Sequence, residues 1–144
     1  MAVEIEFSLV DTEFRRAMDR LIARASDLTP LMGQIAGHLA ASAERSFEAQ
    51  AGPDGAPWVK LDPSTIAQRT RRGTWPGQML QVTGDLAASG VAQHGSDFAE
   101  LVFGAPHAVY HQLGTRHMQA RPFLGLDEQA EADIRDAAVA WLDI

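Results

Sequence analysis

Apolar and polar residues alternate at the start of the chain, and the pattern then changes to a helical spacing. Residues 3–9 (VEIEFSL) alternate without a break, and because a strand sends successive side chains to opposite faces, they predict a half-buried strand. After Asp11 or Thr12, either of which can cap a helix, apolar residues recur at the i, i+4, i+7 and i+8 positions. This spacing predicts a helix whose buried face carries Phe14, Met18, Leu21, Ile22 and Ala25.

Two more long helices are predicted from the same spacing. One begins at Thr29, whose hydroxyl can cap the helix, with Pro30 at the first helical position, and it stops at the turn-rich residues 52–57. The other begins at the Asp127 cap, with Glu128 and Glu131 near its positive end. The predicted buried stripes are Leu31, Ile35, Ala36, Leu39, Ala40, Ala43 and Phe47 in the first, and Ala130, Ile134, Ala138, Trp141 and Leu142 in the second.

The middle of the chain predicts short elements separated by loops. A helix runs from the cap at 62–63 to about residue 69, and another covers about 83–89. Residues 91–93 and 98–103 predict two strands joined by a turn over 94–97, and a short helix follows from Pro106 to Gly114. We expect the loops at about 51–61, 70–79 and 114–121 to be flexible, with Trp58 and Leu61 as apolar anchors of the first.

These elements predict one domain over residues 1–144, since the length suits a single domain and no repeat or interdomain linker interrupts it. The fold class is α+β, with a small antiparallel sheet packed against two long N-terminal helices and a C-terminal helix. Neither a secretory signal nor a membrane span is expected. Glu4 and Glu6 interrupt the first apolar stretch, and the longest uncharged run, 101–115, contains glycine, proline and histidine. We therefore expect the protein in the cytosol, or in an assembly built there.

Charge and composition narrow the candidate chemistry. The chain has no cysteine, which excludes disulfides, cysteine-ligated zinc and thiol nucleophiles. The net charge is −7 but is unevenly spread: residues 1–56 carry −4, residues 57–126 carry +2 and residues 127–144 carry −5. A basic middle between acidic ends is compatible with subunits that meet head to tail, although solvated faces explain it equally well.

A metal site or an enzyme active site finds little support. His107 and His111 have the four-residue spacing of zinc ligands on a helix, and His117 would be a third ligand. However, Ala108 stands where the metalloprotease motif has its glutamate, so a structural role is favoured over a small metal-dependent hydrolase. No serine lies in a nucleophile elbow, and no phosphate-binding glycine motif occurs. We predict no catalytic, cofactor-binding or metal-binding residues.

Basic and aromatic residues instead predict an interaction surface. Arg69, Arg71 and Arg72 beside Trp75 could grip nucleic acid, but the isoelectric point of about 5.1 and the small patch favour a protein partner with an acidic surface. A nucleic-acid-binding module that uses 69–72 remains the alternative. The candidate interface residues are Trp58, Lys60, Arg69, Arg71, Arg72, Trp75, Arg116, His117 and Arg121.

Six short motifs in order resemble the phage virion morphogenesis family, the tail-completion proteins of contractile-tailed phages and Mu-like prophages. They are RSFEAQ at 45–50, followed by PDG and PW at 53–58, LDPST at 61–65, LQVTGDL at 80–86, YHQLGT at 110–115 and RPFLGL at 121–126. The chain departs from the family at 71–78, where Trp75 and Pro76 interrupt a segment that is often more basic and glycine-rich.

The resemblance implies a non-enzymatic structural protein without cofactors that completes the tail and joins it to the head. It implies a neck or tail-terminator ring, commonly a hexamer of the chain itself, that contacts tail tube or sheath and head–tail connector proteins. Neither a membrane nor specific nucleic acid is an expected partner. Such a protein is found in the host bacterial cytoplasm during assembly and then in the virion, at the head–tail junction.

Overall fold

The computed structural model describes residues 12–80 and 84–143. The predicted strand at 3–9 and the Asp11 cap lie outside these residues. The α+β fold class is confirmed, since the described residues form helices around a two-stranded antiparallel sheet. The elements are α1 (Thr12–Ser26), α2 (Thr29–Ala49), α3 (Pro63–Arg71), α4 (Asp85–Ala88), β1 (Gly90–His94), β2 (Ala99–Phe103), α5 (Ala108–Leu113) and α6 (Glu128–Leu142).

Helix α2 is the central element, because it packs against both strands and against α6. The predicted cap at Thr29 is wrong. The Asp27 carboxylate accepts both the backbone N–H of Thr29, at 3.0 Å, and its hydroxyl, at 2.6 Å, so that hydroxyl does not cap the helix. Of the helices within the described ranges, none is both long and apolar enough to cross a membrane. The residues that α2 buries are Leu31, Ala36, Ser42, Ala43, Ser46 and Phe47.

The sheet is the predicted hairpin. Its register runs from Gly90 opposite Phe103 to His94 opposite Ala99, with the turn between them. There is a steric reason for glycine at position 90, since a Cβ there would lie 2.9 Å from the Phe103 ring. The hairpin can therefore seat this ring against the end of β1.

An aromatic cluster under α2 forms the core. Phe47 lies 5.1 Å from the ring centre of Phe123 and 6.1 Å from that of Trp58, and Phe103 meets Phe123 edge to face at 4.8 Å. Phe123 is 0% exposed, and Trp58 is buried as the anchor that the sequence predicts. The other predicted anchor, Leu61, is half-buried.

Helix α1 differs from its predicted role. None of its described residues is buried, and its apolar face carries the exposed side chains of Phe14, Met18 and Ile22, the last 61% exposed. Its packing partner is α6, where the Trp141 indole N–H donates to the Arg24 carbonyl and the Arg24 guanidinium lies over the Trp141 ring. One neighbouring helix covers part of a helical face and leaves the rest open.

The stripe of α6 is likewise only partly buried. Ala130 is fully buried, whereas Ile134, Ala138 and Trp141 are half-buried and Leu142 is exposed. The Asp127 cap is confirmed, because its side chain accepts the backbone N–H of Ala130 at 2.7 Å. The start of α6 is thus fixed by the cap, and its later turns are more open than the periodicity predicts.

Candidate functional site

The segment at residues 121–126 is held to α5 by the Gln112 side chain and by a backbone hydrogen bond in which the Arg121 N–H donates to the His111 carbonyl at 2.7 Å. Gln112 accepts the backbone N–H groups of Phe123 and Leu124, both at 3.0 Å, and donates to the Leu124 carbonyl at 3.2 Å. Gly114 ends α5 with a φ of 75°, a conformation that favours glycine, and a Cβ there would lie 2.8 Å from the backbone of Ala120. Helix α5 and its glycine end therefore position the 121–126 segment.

The same segment is tied to the 51–61 loop by two of the predicted interface residues. The Arg121 guanidinium donates to the carbonyls of Val59, at 2.9 Å, and Lys60, at 3.2 Å. The Trp58 indole N–H donates to the Pro122 carbonyl at 2.8 Å. Both side chains are buried, so Trp58 and Arg121 help to hold the subunit together.

Four of the predicted interface residues line one cleft of about 470 Å³. Arg69 comes from α3, Lys60 from the 51–61 loop, and His117 and Arg121 from the 114–121 loop. His111 of α5 and the carboxylate of Asp62 also lie on its wall. We call this feature the basic cleft, because its lining carries three cationic side chains against one carboxylate.

The two guanidiniums of the basic cleft bind backbone rather than acids. Arg69 donates to the carbonyls of Gln78, at 3.3 Å, and Met79, at 2.7 Å, and so ties the 70–79 loop to α3. Burial, and then the positive charge of Arg121, lower the pKa of Arg69, although a guanidinium stays charged at any ordinary pH. Within residues 12–80 and 84–143 neither arginine forms an ion pair with a carboxylate.

His111 lies on the wall of the basic cleft. Burial, and then the charges of Arg121 and His107, lower its pKa, and its Nδ1 atom is buried without a hydrogen-bond partner. His107 itself is exposed and lines a second cleft, of about 400 Å³, which shares Arg69 and His111 with the first. The part of the chain that the structure describes contains no group of three potential metal ligands.

The other predicted interface residues lie outside the lining of the basic cleft. Arg71 and Arg72 are exposed at the end of α3, Trp75 is half-buried in the 70–79 loop, and Arg116 is exposed in the 114–121 loop. The predicted surface is therefore divided between one concave site and separate exposed cations.

Comparison with known proteins gives this arrangement a family. The model of the phage virion morphogenesis family matches residues 9–143. The chain belongs to this family. Putative capsid assembly protein G of Escherichia phage Mu is 38% identical over 114 residues, which is 72% of each chain. Mu-like prophage FluMu G protein 1 of Haemophilus influenzae is 31% identical over 137 residues, covering 94% of this chain and 91% of the relative. No solved structure matches significantly.

In this member of the virion morphogenesis family, the motif residues mainly build the subunit. Gln112 of the 110–115 motif and Arg121 and Phe123 of the 121–126 motif make the contacts described above. Arg45 of the first motif forms a bidentate ion pair with Asp127, in which the Arg45 Nη2 lies 2.8 Å from the Asp127 Oδ1. That ion pair, with a hydrogen bond to the α6 N-terminus, lowers the pKa of Asp127.

The sequence reasoning missed the structural roles of Ser42, Arg45 and Gln112. The Ser42 hydroxyl donates to the Gly125 carbonyl at 2.8 Å and accepts the Asp127 N–H at 3.0 Å. The sequence does contain a signal that the serines are structural, since Ser42 and Ser46 lie four residues apart within the apolar stripe of α2. Gln112 gives no such signal, because its partners are backbone groups.

Proposed function

We propose that this protein is a non-enzymatic structural protein that acts in tail completion and head–tail joining, as a subunit of a neck or tail-terminator ring. A general role in phage assembly is supported by the family match over residues 9–143 and by a relative that is named as a putative capsid assembly protein. The ring, a hexamer in our proposal, forms in the host bacterial cytoplasm and then stays in the virion at the head–tail junction.

The observation that carries the proposal is the use of the motif residues. In an enzyme family the polar motif residues would converge on a reaction site. Here Gln112, Arg121 and Arg45 instead hydrogen-bond backbone groups or pair at a helix start. What remains for function is a subunit surface with a basic cleft and exposed arginines, which suits a protein partner with acidic groups.

The exposed arginines at the end of α3 are the proposed contact with tail tube, sheath or connector proteins. Arg71 and Arg72 have exposed side chains, and Trp75 is available nearby as a half-buried anchor. Arginine and tryptophan are enriched at interface hot spots. Tryptophan buries a large rigid ring, and the arginine guanidinium donates several hydrogen bonds in a fixed geometry. Removing the two arginine side chains should therefore affect assembly rather than folding.

The test is complementation of a phage or prophage from which the gene has been deleted. We expect unjoined heads and tails by electron microscopy without the gene, and joined infectious particles with the wild-type chain. The Arg71→Ala/Arg72→Ala variant should keep the wild-type Tm but yield few joined particles. The matched control is Arg15→Ala/Arg16→Ala, which removes an adjacent exposed pair from α1.

Joined particles in the absence of the gene would overturn the proposed function. Normal joining by the Arg71→Ala/Arg72→Ala variant would remove these two residues from it.

Nucleic-acid binding by residues 69–72 is tested with the same purified protein. A true DNA-binding protein loses affinity steeply as salt rises, with a slope set by the phosphates it neutralises. We expect no tight binding to duplex DNA at physiological salt, since the chain carries a net charge of −7. Tight, salt-sensitive binding that is lost in Arg71→Ala/Arg72→Ala would favour the alternative.

A further inference from the structure

The basic cleft holds more cationic donors than the subunit uses. Arg121 donates two of its N–H groups to the carbonyls of Val59 and Lys60, and Arg69 donates two to those of Gln78 and Met79. A guanidinium has five N–H donors, so each keeps three for another acceptor. Arg69 is half-buried and Arg121 is buried, and both line the same cleft. Two neighbouring guanidiniums with unused N–H groups can bind a carboxylate.

An apolar surface lies beside this cleft. Val109, Tyr110 and Leu113 of α5 are all exposed, Leu113 to 73%. Leu113 borders a shallow depression formed by the 114–121 loop, and this depression shares His117 and Met118 with the basic cleft. The surface therefore combines a charged recess with exposed apolar side chains, and exposed apolar patches rimmed by polar residues mark interaction sites.

The opposite combination is found on α6 of the same chain. Asp136, Val139 and Asp143 are exposed, Val139 to 66%. Asp136 and Val139 lie three residues apart on one stripe of α6, and Asp143 follows the last helical residue and extends this stripe. Neither carboxylate forms an ion pair within the described residues. Leu142 adds a further exposed apolar side chain to this end of α6.

We propose that the basic cleft is a carboxylate-binding site and that its occupant is the outer stripe of α6 from a second copy of this chain. An aspartate of that stripe, Asp136 or Asp143, would accept from Arg69 and Arg121 of its neighbour. Val139 would then pack on the apolar edge at Leu113. The proposal rests on the proposed ring role and adds to it the two surfaces that meet.

Charge and shape favour this occupant over nucleic acid. Residues 127–144 carry −5 and residues 57–126 carry +2, so a second copy supplies the opposite sign directly. The cleft is a recess of about 470 Å³, which fits a side chain better than the extended backbone of a duplex. The two surfaces differ, so the cleft of one copy contacts the α6 stripe of the next copy. Such head-to-tail contacts close into a ring when the rotation between neighbouring copies allows it.

Two charge-reversal variants break the two surfaces separately. Lys60→Glu/His117→Glu alters the cleft at two exposed side chains, whose residues contribute only backbone atoms to the subunit's hydrogen bonds. Asp136→Lys/Asp143→Lys alters the α6 stripe. The matched control is Asp97→Lys/Glu100→Lys, which reverses two exposed acids on the hairpin. Circular dichroism and Tm establish that all three are folded.

Sedimentation equilibrium and native mass spectrometry give the readout. We expect the wild type and the hairpin control to self-associate, and each interface variant to associate at least about tenfold more weakly, the loss of about 1.4 kcal/mol. A 1:1 mixture of the two interface variants should associate more strongly than either variant alone. The intact cleft can meet the intact stripe, and the two reversed surfaces again carry opposite charges.

Several results would overturn the inference. They are a wild type that stays monomeric into the millimolar range, interface variants that associate normally, a mixture that associates no better than either variant alone, and duplex DNA that displaces the second copy at physiological salt. Failure of the proposed function is distinct, because it is judged from particles made without the gene. If joined particles require the gene but the interface variants still self-associate like the wild type, only the inference is refuted.

Discussion

Helix α1 and the 121–126 segment are opposite cases of how this chain uses apolar residues. The short segment has no regular structure, yet it contributes the fully buried Phe123, and Gln112 holds its backbone. The 15-residue α1 has a well-formed apolar face and buries none of its described residues. Stability is therefore concentrated around α2 and the 121–126 segment, while the periphery keeps apolar surface for contacts outside the subunit.

Phe123→Ala should have the largest effect on this comparison. The ring is packed against Phe47 and Phe103, so its loss leaves a cavity and should lower the free energy of unfolding by about 3–5 kcal/mol. Ile22→Ala, on the open face of α1, is the matched control and should change it by less than about 0.5 kcal/mol. Urea denaturation measures both, and equal losses would mean that the two regions do not differ.

Gln112→Ala should be next in size. It leaves the N–H groups of Phe123 and Leu124 without an acceptor, at a cost of about 2–4 kcal/mol in unfolding free energy. Gln112→Glu keeps the acceptor oxygens and loses the donation to the Leu124 carbonyl, so it should be milder. If both variants unfold like the wild type, the amide does not hold the segment.

Trp141→Ala tests the contact between the two peripheral helices. A fully buried tryptophan would cost about 3–5 kcal/mol, but Trp141 is half-buried, so we expect about 1–2 kcal/mol in urea denaturation. Part of this comes from the lost hydrogen bond to the Arg24 carbonyl. A loss as large as that of Phe123→Ala would show that α1 and α6 belong to the core.

The smallest expected effect is a pH dependence at His111. Its folded pKa is lowered from 6.5, so the unfolded chain binds a proton more readily. Stability should therefore fall as the pH falls from about 6.5 towards the lowered pKa, as proton linkage requires. His111→Asn should flatten the difference in Tm between pH 7 and pH 5.5. An unchanged slope would assign the acid sensitivity to other groups.

The elements that local chemistry dictates are the ones that the sequence predicted. Asp127 caps α6, Gly114 ends α5, and the hairpin lies within two residues of its predicted bounds. These features depend on side chains or backbone geometry within a few residues, so a linear pattern reveals them. Helix α3 extends two residues beyond the prediction, to Arg71.

Features that depend on distant partners could not be predicted in this way. Periodicity identifies the apolar face of α1 but not what covers it, and the face is exposed where Ile22 lies. Arg121 reads as a basic loop residue, yet carbonyls some sixty residues away bind it. The candidate list named Lys60, Arg69, His117 and Arg121, but nothing in their spacing indicated that they share one cleft.

Arg121, on the wall of the basic cleft, is separated from Phe123, at the centre of the aromatic cluster, by a single residue. A ligand that restrains this guanidinium therefore also restrains the backbone that carries the core ring. Binding that favours the folded state raises its stability in proportion to the logarithm of ligand concentration over Kd. Incorporation into a virion should for this reason register as heat resistance, with the assembled subunit melting well above the free one.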